Sequence, residues 1–346
     1  TLTFYLLPYT LMLLFHGPIS DGIGRIKTMQ WGLLLFFFAS IGCALSTTIE
    51  SLWFFRALQG IGGGAGSVVA RAMVRDLYEG AEAQRVMATV QILFGIAPAI
   101  APMIGGLLLG FHWQGIFIFL ALYAAVSIYM GSKILPETMT KNMLVPITFT
   151  DIIVRYKLLL INKEFILLIL SVSANFSAFF IYVLASPVFL IDHLGFTAQQ
   201  FGYLFIPTVS GMLIGSFISK KTAGVIKPSS VLKFGYYFMF CIALSNLLFC
   251  SFMPDNAFFN IGFIALYNIG MASVMPIISL AGLDCFPKIR GTAASGQAFT
   301  QMLFASATAG ILVPIVWFST FGLSLGLFFL ISFGLFTITK TNLWNK

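Results

Sequence analysis

The sequence has little charge. Asp, Glu, Lys and Arg make up 9% of its 346 residues, while 59% are hydrophobic. Soluble globular domains carry roughly 25% charged residues, so this chain has too few to cover a water-facing surface. That excludes a soluble α/β enzyme and a disordered chain. Cysteine is sparse too. Cys43, Cys241, Cys250 and Cys285 lack metal-like spacing, exclude a disulfide scaffold and read as small core residues. Strict alternation of apolar and polar residues is missing, which excludes a transmembrane β-barrel. What remains is an all-α membrane protein, a helical bundle in lipid.

A bilayer-crossing helix needs roughly 20 apolar residues. Eleven such runs are present, near 1–16, 28–48, 52–72, 86–109, 115–134, 165–190, 200–219, 234–253, 257–282, 293–318 and 322–339. Residues 135–164 interrupt them with Pro136, Pro146, Glu137, Lys141, Asp151, Arg155, Lys157, Lys163 and Glu164. The spacing predicts a half at 1–134, a linker at 135–164 and a second half at 165–346.

Basic residues are lacking on one side of the bundle. Loops 17–27, 73–85, 133–164 and 220–233, with 284–292, the tail after 339 and Arg71, hold 18 of the 19. The opposite loops carry Glu50, Asp192 and Asp255. Cytoplasmic loops are rich in Lys and Arg, so the linker and C-terminus are expected in the cytoplasm. The first span is short and begins at Thr1 on the other side. This predicts that one upstream helix is absent from the sequence. Adding it gives two six-helix halves, a transporter architecture.

Three motifs stand out. The first basic loop reads Gly17-Pro18-Ile19-Ser20-Asp21-Gly22-Ile23-Gly24-Arg25-Ile26-Lys27. Its glycines suit a sharp turn. Asp21 is expected against the positive end of another helix, and Arg25 and Lys27 against lipid phosphates. Arg56, the one basic residue inside a span, leads into Gln59, Gly60, Gly62, Gly63, Gly64 and Gly66. A charge within the bilayer points to function, and small residues four apart let helices approach closely. The fourth span carries Gly95, Pro98, Pro102, Gly105 and Gly106, which predict a bent helix with a tight contact beyond the bend.

These runs resemble motifs A, B and C of the major facilitator superfamily. Arg75-Asp76-Leu77-Tyr78, Leu135-Pro136-Glu137-Thr138, Ser186-Pro187-Val188-Phe189 and Gln200-Phe201-Gly202 narrow the resemblance to the Bcr/CflA multidrug efflux family, drug:proton antiporters. The resemblance implies the major facilitator fold in a bacterial inner membrane. It also implies a membrane-embedded acid as proton carrier. No Asp or Glu lies within a span here; all 11 fall in loops or at span ends. The coupling acid is therefore expected in the absent helix.

Polar residues in spans are candidates for a cavity. Arg56 and Gln59 are assigned to proton coupling. Asn175, Phe179, Tyr182, Asn268 and Gln301 are assigned to a substrate cavity, beside Gln91, Tyr267 and Gln297. Large apolar cavities with few polar anchors suit lipophilic compounds. His16, His112 and His193 lie at span ends and read as interfacial, not as metal ligands. Asp284 and Arg290 are expected to pair with the Asp21 loop as a gating latch. No span holds a catalytic set, so an enzyme is not expected.

The expected activity is export of a small lipophilic substrate in exchange for protons, by a monomer in the lipid bilayer. The proton gradient supplies the energy, with no cofactor, no metal and no nucleic acid. Two alternatives are a carrier of a sugar or amino acid, and an inactive fragment lacking the coupling helix.

Overall fold

Each apolar run expected to cross the membrane is helical. The computed structural model describes the chain apart from residues 111, 198, 199, 201, 254, 255 and 346 and the side chains of 98, 99, 102, 103, 109 and 141. Phe201 and Asp255, and the side chains of Pro98, Pro102 and Lys141, thus lie outside the described residues. In chain order the helices are α1 Leu2–Ile23, α2 Arg25–Ala44, α3 Ile49–Gly63, α4 Ala65–Leu77 and α5 Gly80–Leu109. There follow α6 Gln114–Ile134, α7 Phe149–Ile161, α8 Lys163–Leu184, α9 Gly202–Thr222 and α10 Pro228–Phe252. The last are α11 Ala257–Asp284, α12 Arg290–Ala307, α13 Val313–Val316, α14 Thr320–Thr339 and α15 Asn342–Asn345. No strand is formed among the described residues.

Among the described residues, 9 stretches are long and apolar enough to cross a membrane. They are α1, α2, α6, α8, α9, α10, α11, α14 and Arg290–Val316. A helix of 20 residues such as α2 rises about 30 Å, the thickness of the hydrocarbon core. The run expected at 52–72 is instead two helices of 15 and 13 residues, parted at Gly64. A Cβ on Gly60 would lie 2.2 Å from the Tyr5 carbonyl oxygen, and one on Gly62 would lie 2.4 Å from that of Gly32. These glycines let the backbone of α3 touch α1 and α2. Gly66 faces open space, so the expected close contact forms at Gly60 and Gly62 and not there.

The stretch 135–164 is more than a linker, for it contains α7. Thr148 and Asp151 form a capping box at its start, a pattern that satisfies orphan N–H groups of the first turn. Arg155 is buried and donates to the Pro146 carbonyl. Tyr156 donates to the Leu14 carbonyl at 2.5 Å. Burial pushes the Tyr156 hydroxyl above the ordinary phenol range, so it stays a donor. Charges that look like solvated linker in the sequence are thus a cap and a clamp.

The helices gather into two compact units, residues 1–78, 100–162 and 283–299 in one and 79–99, 163–282 and 300–346 in the other. This partition differs from a division at the linker because two segments exchange. Residues 283–299 are held to α1, where Gly17 N–H donates to Ser295 Oγ at 2.7 Å. Residues 79–99 are held to α9 and its end. There Gln84 Nε2 donates to the Ser219 carbonyl and Arg85 Nη2 to that of Ala223, each at 3.0 Å.

Two smaller expectations are corrected. Cys43 and Cys250 are buried, but Cys241 is exposed and Cys285 is half-buried, because α10 turns Cys241 outward. His16 is not interfacial. It is buried on α1, where α2 and the glycine-rich end of α3 pack beside it.

Candidate functional site

Motif A is built where α1 turns into α2. Gly24 carries a φ of 103°, a left-handed value that favours glycine. Behind it, the Glu137 carboxylate accepts the N–H groups of Arg25 (2.9 Å) and Ile26 (3.0 Å), the first turn of α2. A carboxylate there satisfies orphan donors and matches the positive end of the helix.

Asp21 and Arg25 lie one turn apart around this corner and are 0% and 1% exposed. Arg25 Nη1 donates to Asp21 Oδ1 and to Ser20 Oγ, each at 2.7 Å. Asp21 also caps α12. It accepts the N–H groups of Gly291 at 2.9 Å and Thr292 at 2.7 Å, and the Thr292 hydroxyl at 2.7 Å. The sequence expectation of a helix end against Asp21 is realised. The expectation that Arg25 faces lipid phosphate is not, because two carboxylates bury it. Lys27 is exposed.

The second carboxylate is Asp76, at the end of α4. It accepts Arg25 Nε at 3.0 Å, Arg290 Nη1 at 3.1 Å and the Thr138 hydroxyl at 3.1 Å. Arg75 pairs with Asp284 at 2.5 Å. Arg290 thus joins the Asp21 system through Asp76 and Arg25, and Asp284 pairs separately. Contact is close throughout. A Cβ on Gly17 would sit 1.9 Å from the Gly291 carbonyl oxygen.

Asp76, Glu137, Thr292 and Ser295 were not singled out from the sequence as site residues. Two signals were available. Glu137 and Asp76 belong to short runs that carry the family resemblance, and Thr292 follows Arg290 at a helix start.

Arg56 lies on α3, half-buried. Its Nη1 donates to Gln59 Oε1 at 2.5 Å, and Gln59 Nε2 donates to Ser40 Oγ at 2.8 Å. The guanidinium sits 4.5 Å over the Tyr5 ring and 5.8 Å from that of Phe117. Aromatic faces attract a cation at these distances. The structure thus brings Arg56 and Gln59 together as one relay.

The proposed cavity residues are all deeply buried, and most are tied to neighbours. Asn175 Nδ2 donates to Tyr236 Oη at 2.8 Å, and Tyr236 also hydrogen-bonds Ser171. Tyr267 Oη donates to the Asn175 carbonyl at 3.4 Å. Tyr182 Oη accepts from Asn246 at 3.0 Å. Phe179 packs edge-on against Phe180 at 5.5 Å. Gln297 and Gln301 are buried on α12, while Gln91 is half-buried. Asn175 Oδ1 and both amide atoms of Asn268 are buried without a hydrogen-bond partner among the described residues. Such groups are unusual, because buried polar atoms are nearly always paired.

The motif C residues lie on α5. Gly95 is in ordinary contact with Met212 at 3.5 Å, and Gly105 and Gly106 face open space. Among the described residues, the tight contact expected after the prolines is not formed.

Comparison with known proteins matches residues 1–310 to the Major Facilitator Superfamily. The chain is 28% identical over 287 residues to a bicyclomycin resistance protein homolog of Haemophilus influenzae, covering 82% of this chain and 71% of that one. It is 27% identical to multidrug resistance protein D of Escherichia coli, covering 84% and 72%. It is 33% identical to an uncharacterized MFS-type transporter of Bacillus subtilis, covering 67% and 59%. Among solved structures, the human organic anion transporter MFSD10 superposes with a TM-score of 0.77 at 18% identity, over 97% of this chain and 81% of that one.

Proposed function

The chain belongs to the Major Facilitator Superfamily, as a membrane transporter and not an enzyme, and on that basis we propose that it exports drug-like or toxic small molecules in exchange for protons by alternating access. It does so as a monomer in the bacterial inner membrane, with the C-terminus in the cytoplasm and no cofactor beyond the proton gradient. The helices on either side of the linker would carry the motion. The relatives named for bicyclomycin and multidrug resistance support the substrate class.

The observation that carries the reading is the burial of Asp21 on the first turn of α12. An anion at a helix start is favoured, and it ties residues 17–25 to residues 291–295 at the cytoplasmic end. Opening that end requires Asp21 to leave Gly291 and Thr292. Arg56, oriented by Gln59 and Tyr5, supplies a fixed positive charge that responds when the proton-binding group changes charge. Asn175 Oδ1 and the side-chain amide of Asn268, buried without a partner among the described residues, are the polar anchors for substrate.

The test is drug efflux from vesicles holding the full chain, with and without a proton gradient. Gradient-driven efflux that Arg56→Ala abolishes is expected. Efflux indifferent to collapse of the gradient would rule out proton coupling. Uptake of a sugar or amino acid in place of efflux would make the chain a metabolite carrier.

A further inference from the structure

The basic end of the structure holds two neighbouring cavities, one of them bordering the ionic corner. One, of about 540 Å³, is lined by Arg155 and Leu158 of α7 and by Phe286, Lys288 and Ile289 of the segment before α12. The other, of about 580 Å³, includes Arg25, Asp76 and Arg290 of that corner. They share Val145, Pro287 and Lys288.

The charge of the first cavity is one-sided. It has two cations in its wall and no carboxylate. Arg155 is only 4% exposed, and its one hydrogen-bond partner among the described residues is the neutral Pro146 carbonyl. Its Nη1 is buried with no partner. A buried cation facing only a neutral acceptor is costly, and an anion relieves that cost. The same shortage recurs next door. Asp76 is already engaged by Arg25, Arg290 and Thr138, yet Arg290 Nε remains buried and unpaired. Lys288, exposed between the two, adds three rotatable donors.

Cavities of about 300–1,000 Å³ hold small molecules rather than bare ions. Most of the remaining wall, including Leu158, Phe286 and Ile289, is apolar. We propose that this cavity binds a phosphate ester bearing an apolar group. Its phosphate oxygens pair with Arg155 and Lys288, with Arg290 in reach of a larger headgroup, and its organic part packs on the apolar wall. Guanidinium and ammonium groups are the usual partners of phosphate oxygens. Two sources share this chemistry: a phospholipid headgroup of the adjoining leaflet and a soluble phosphate ester.

The full chain, purified in detergent and stripped of lipid, is titrated with three probes while its thermal unfolding midpoint is followed. They are short-chain phosphatidylglycerol, glycerol 3-phosphate, and glycerol as the control without phosphate. A saturable rise in the midpoint with one or both phosphate probes, and none with glycerol, is expected. Response to the lipid alone identifies the headgroup source, and response to glycerol 3-phosphate identifies the soluble one. Lys288→Gln weakens binding about tenfold, the loss of one charge-assisted hydrogen bond, and Leu158→Asp, which sets a negative charge in the wall, weakens it further. Arg155→Gln abolishes the response if the variant folds; the other two keep the test decisive if it does not. No saturable rise with either phosphate probe, or equal affinity in wild type, Lys288→Gln and Leu158→Asp, would overturn the proposal.

Discussion

Thr292 donates twice to one oxygen of Asp21, through its backbone N–H and through its hydroxyl, each at 2.7 Å. The acceptor is fully buried and its other oxygen serves Arg25 and Gly291. One carboxylate therefore satisfies a buried guanidinium and the start of a helix together.

Asp21→Asn keeps the shape and removes the charge. Arg25 then retains only Asp76 as a counter-ion, and unbalancing a buried pair costs about 3–5 kcal/mol. Transport per molecule should fall at least tenfold, and the end of the bundle that holds Asp21 should become more accessible to a thiol reagent. Unchanged efflux and unchanged labelling would remove the latch.

Thr292→Val deletes the hydroxyl and leaves the N–H. The loss is about 1 kcal/mol, so a modest drop in the unfolding midpoint is expected, smaller than for Asp21→Asn. Equal effects in the two variants would mean that the Asp21 charge contributes nothing.

The glycine run on α3 offers an internal comparison. Gly60→Ala places a Cβ 2.2 Å from the Tyr5 carbonyl oxygen, whereas Gly66→Ala meets open space. Forced overpacking costs about 1–3 kcal/mol. Thermal unfolding should register the first and not the second, and Gly17→Ala, at 1.9 Å from the Gly291 carbonyl oxygen, should resemble the first.

Gln59→Leu should mimic the loss of Arg56. It removes the acceptor for Arg56 Nη1 and the donor to Ser40, so the guanidinium loses its fixed direction over Tyr5. Proton-driven efflux should fall at least tenfold at normal expression, with drug binding retained. Full efflux in Gln59→Leu would show that Arg56 does not depend on this relay.

Glu137→Ala removes the carboxylate that caps the first turn of α2. Loss of such a cap costs about 1 kcal/mol. Glu137→Gln, which keeps an oxygen acceptor, should recover much of the lost midpoint.

The membrane helices were legible because apolar runs of bilayer length have few places to be stable except in lipid. Asp21 and Gly24 were legible too, since a short loop mixing glycine with charge restricts what its residues can do. Distance along the chain concealed the rest. Asp76 lies 51 residues from Arg25 and Glu137 lies 112 away, so only folding shows that they meet. Helix α7 was masked by its own charges, because Arg155 reads as solvated until its burial is seen. His16 is hidden for a related reason: its position near a span end gives no sign of burial by neighbouring helices.

Sharing of acceptors within the ionic corner has a kinetic consequence. Asp76 serves Arg25, Arg290 and Thr138, and Asp21 serves Arg25, Gly291 and Thr292. Releasing Arg25 or Arg290 alone leaves a carboxylate with less compensation, and releasing a neutral donor forfeits a charge-assisted hydrogen bond, so partial release is uphill. The corner is consequently cooperative. It should then open as one unit, and weakening any link should change how often it opens rather than how far.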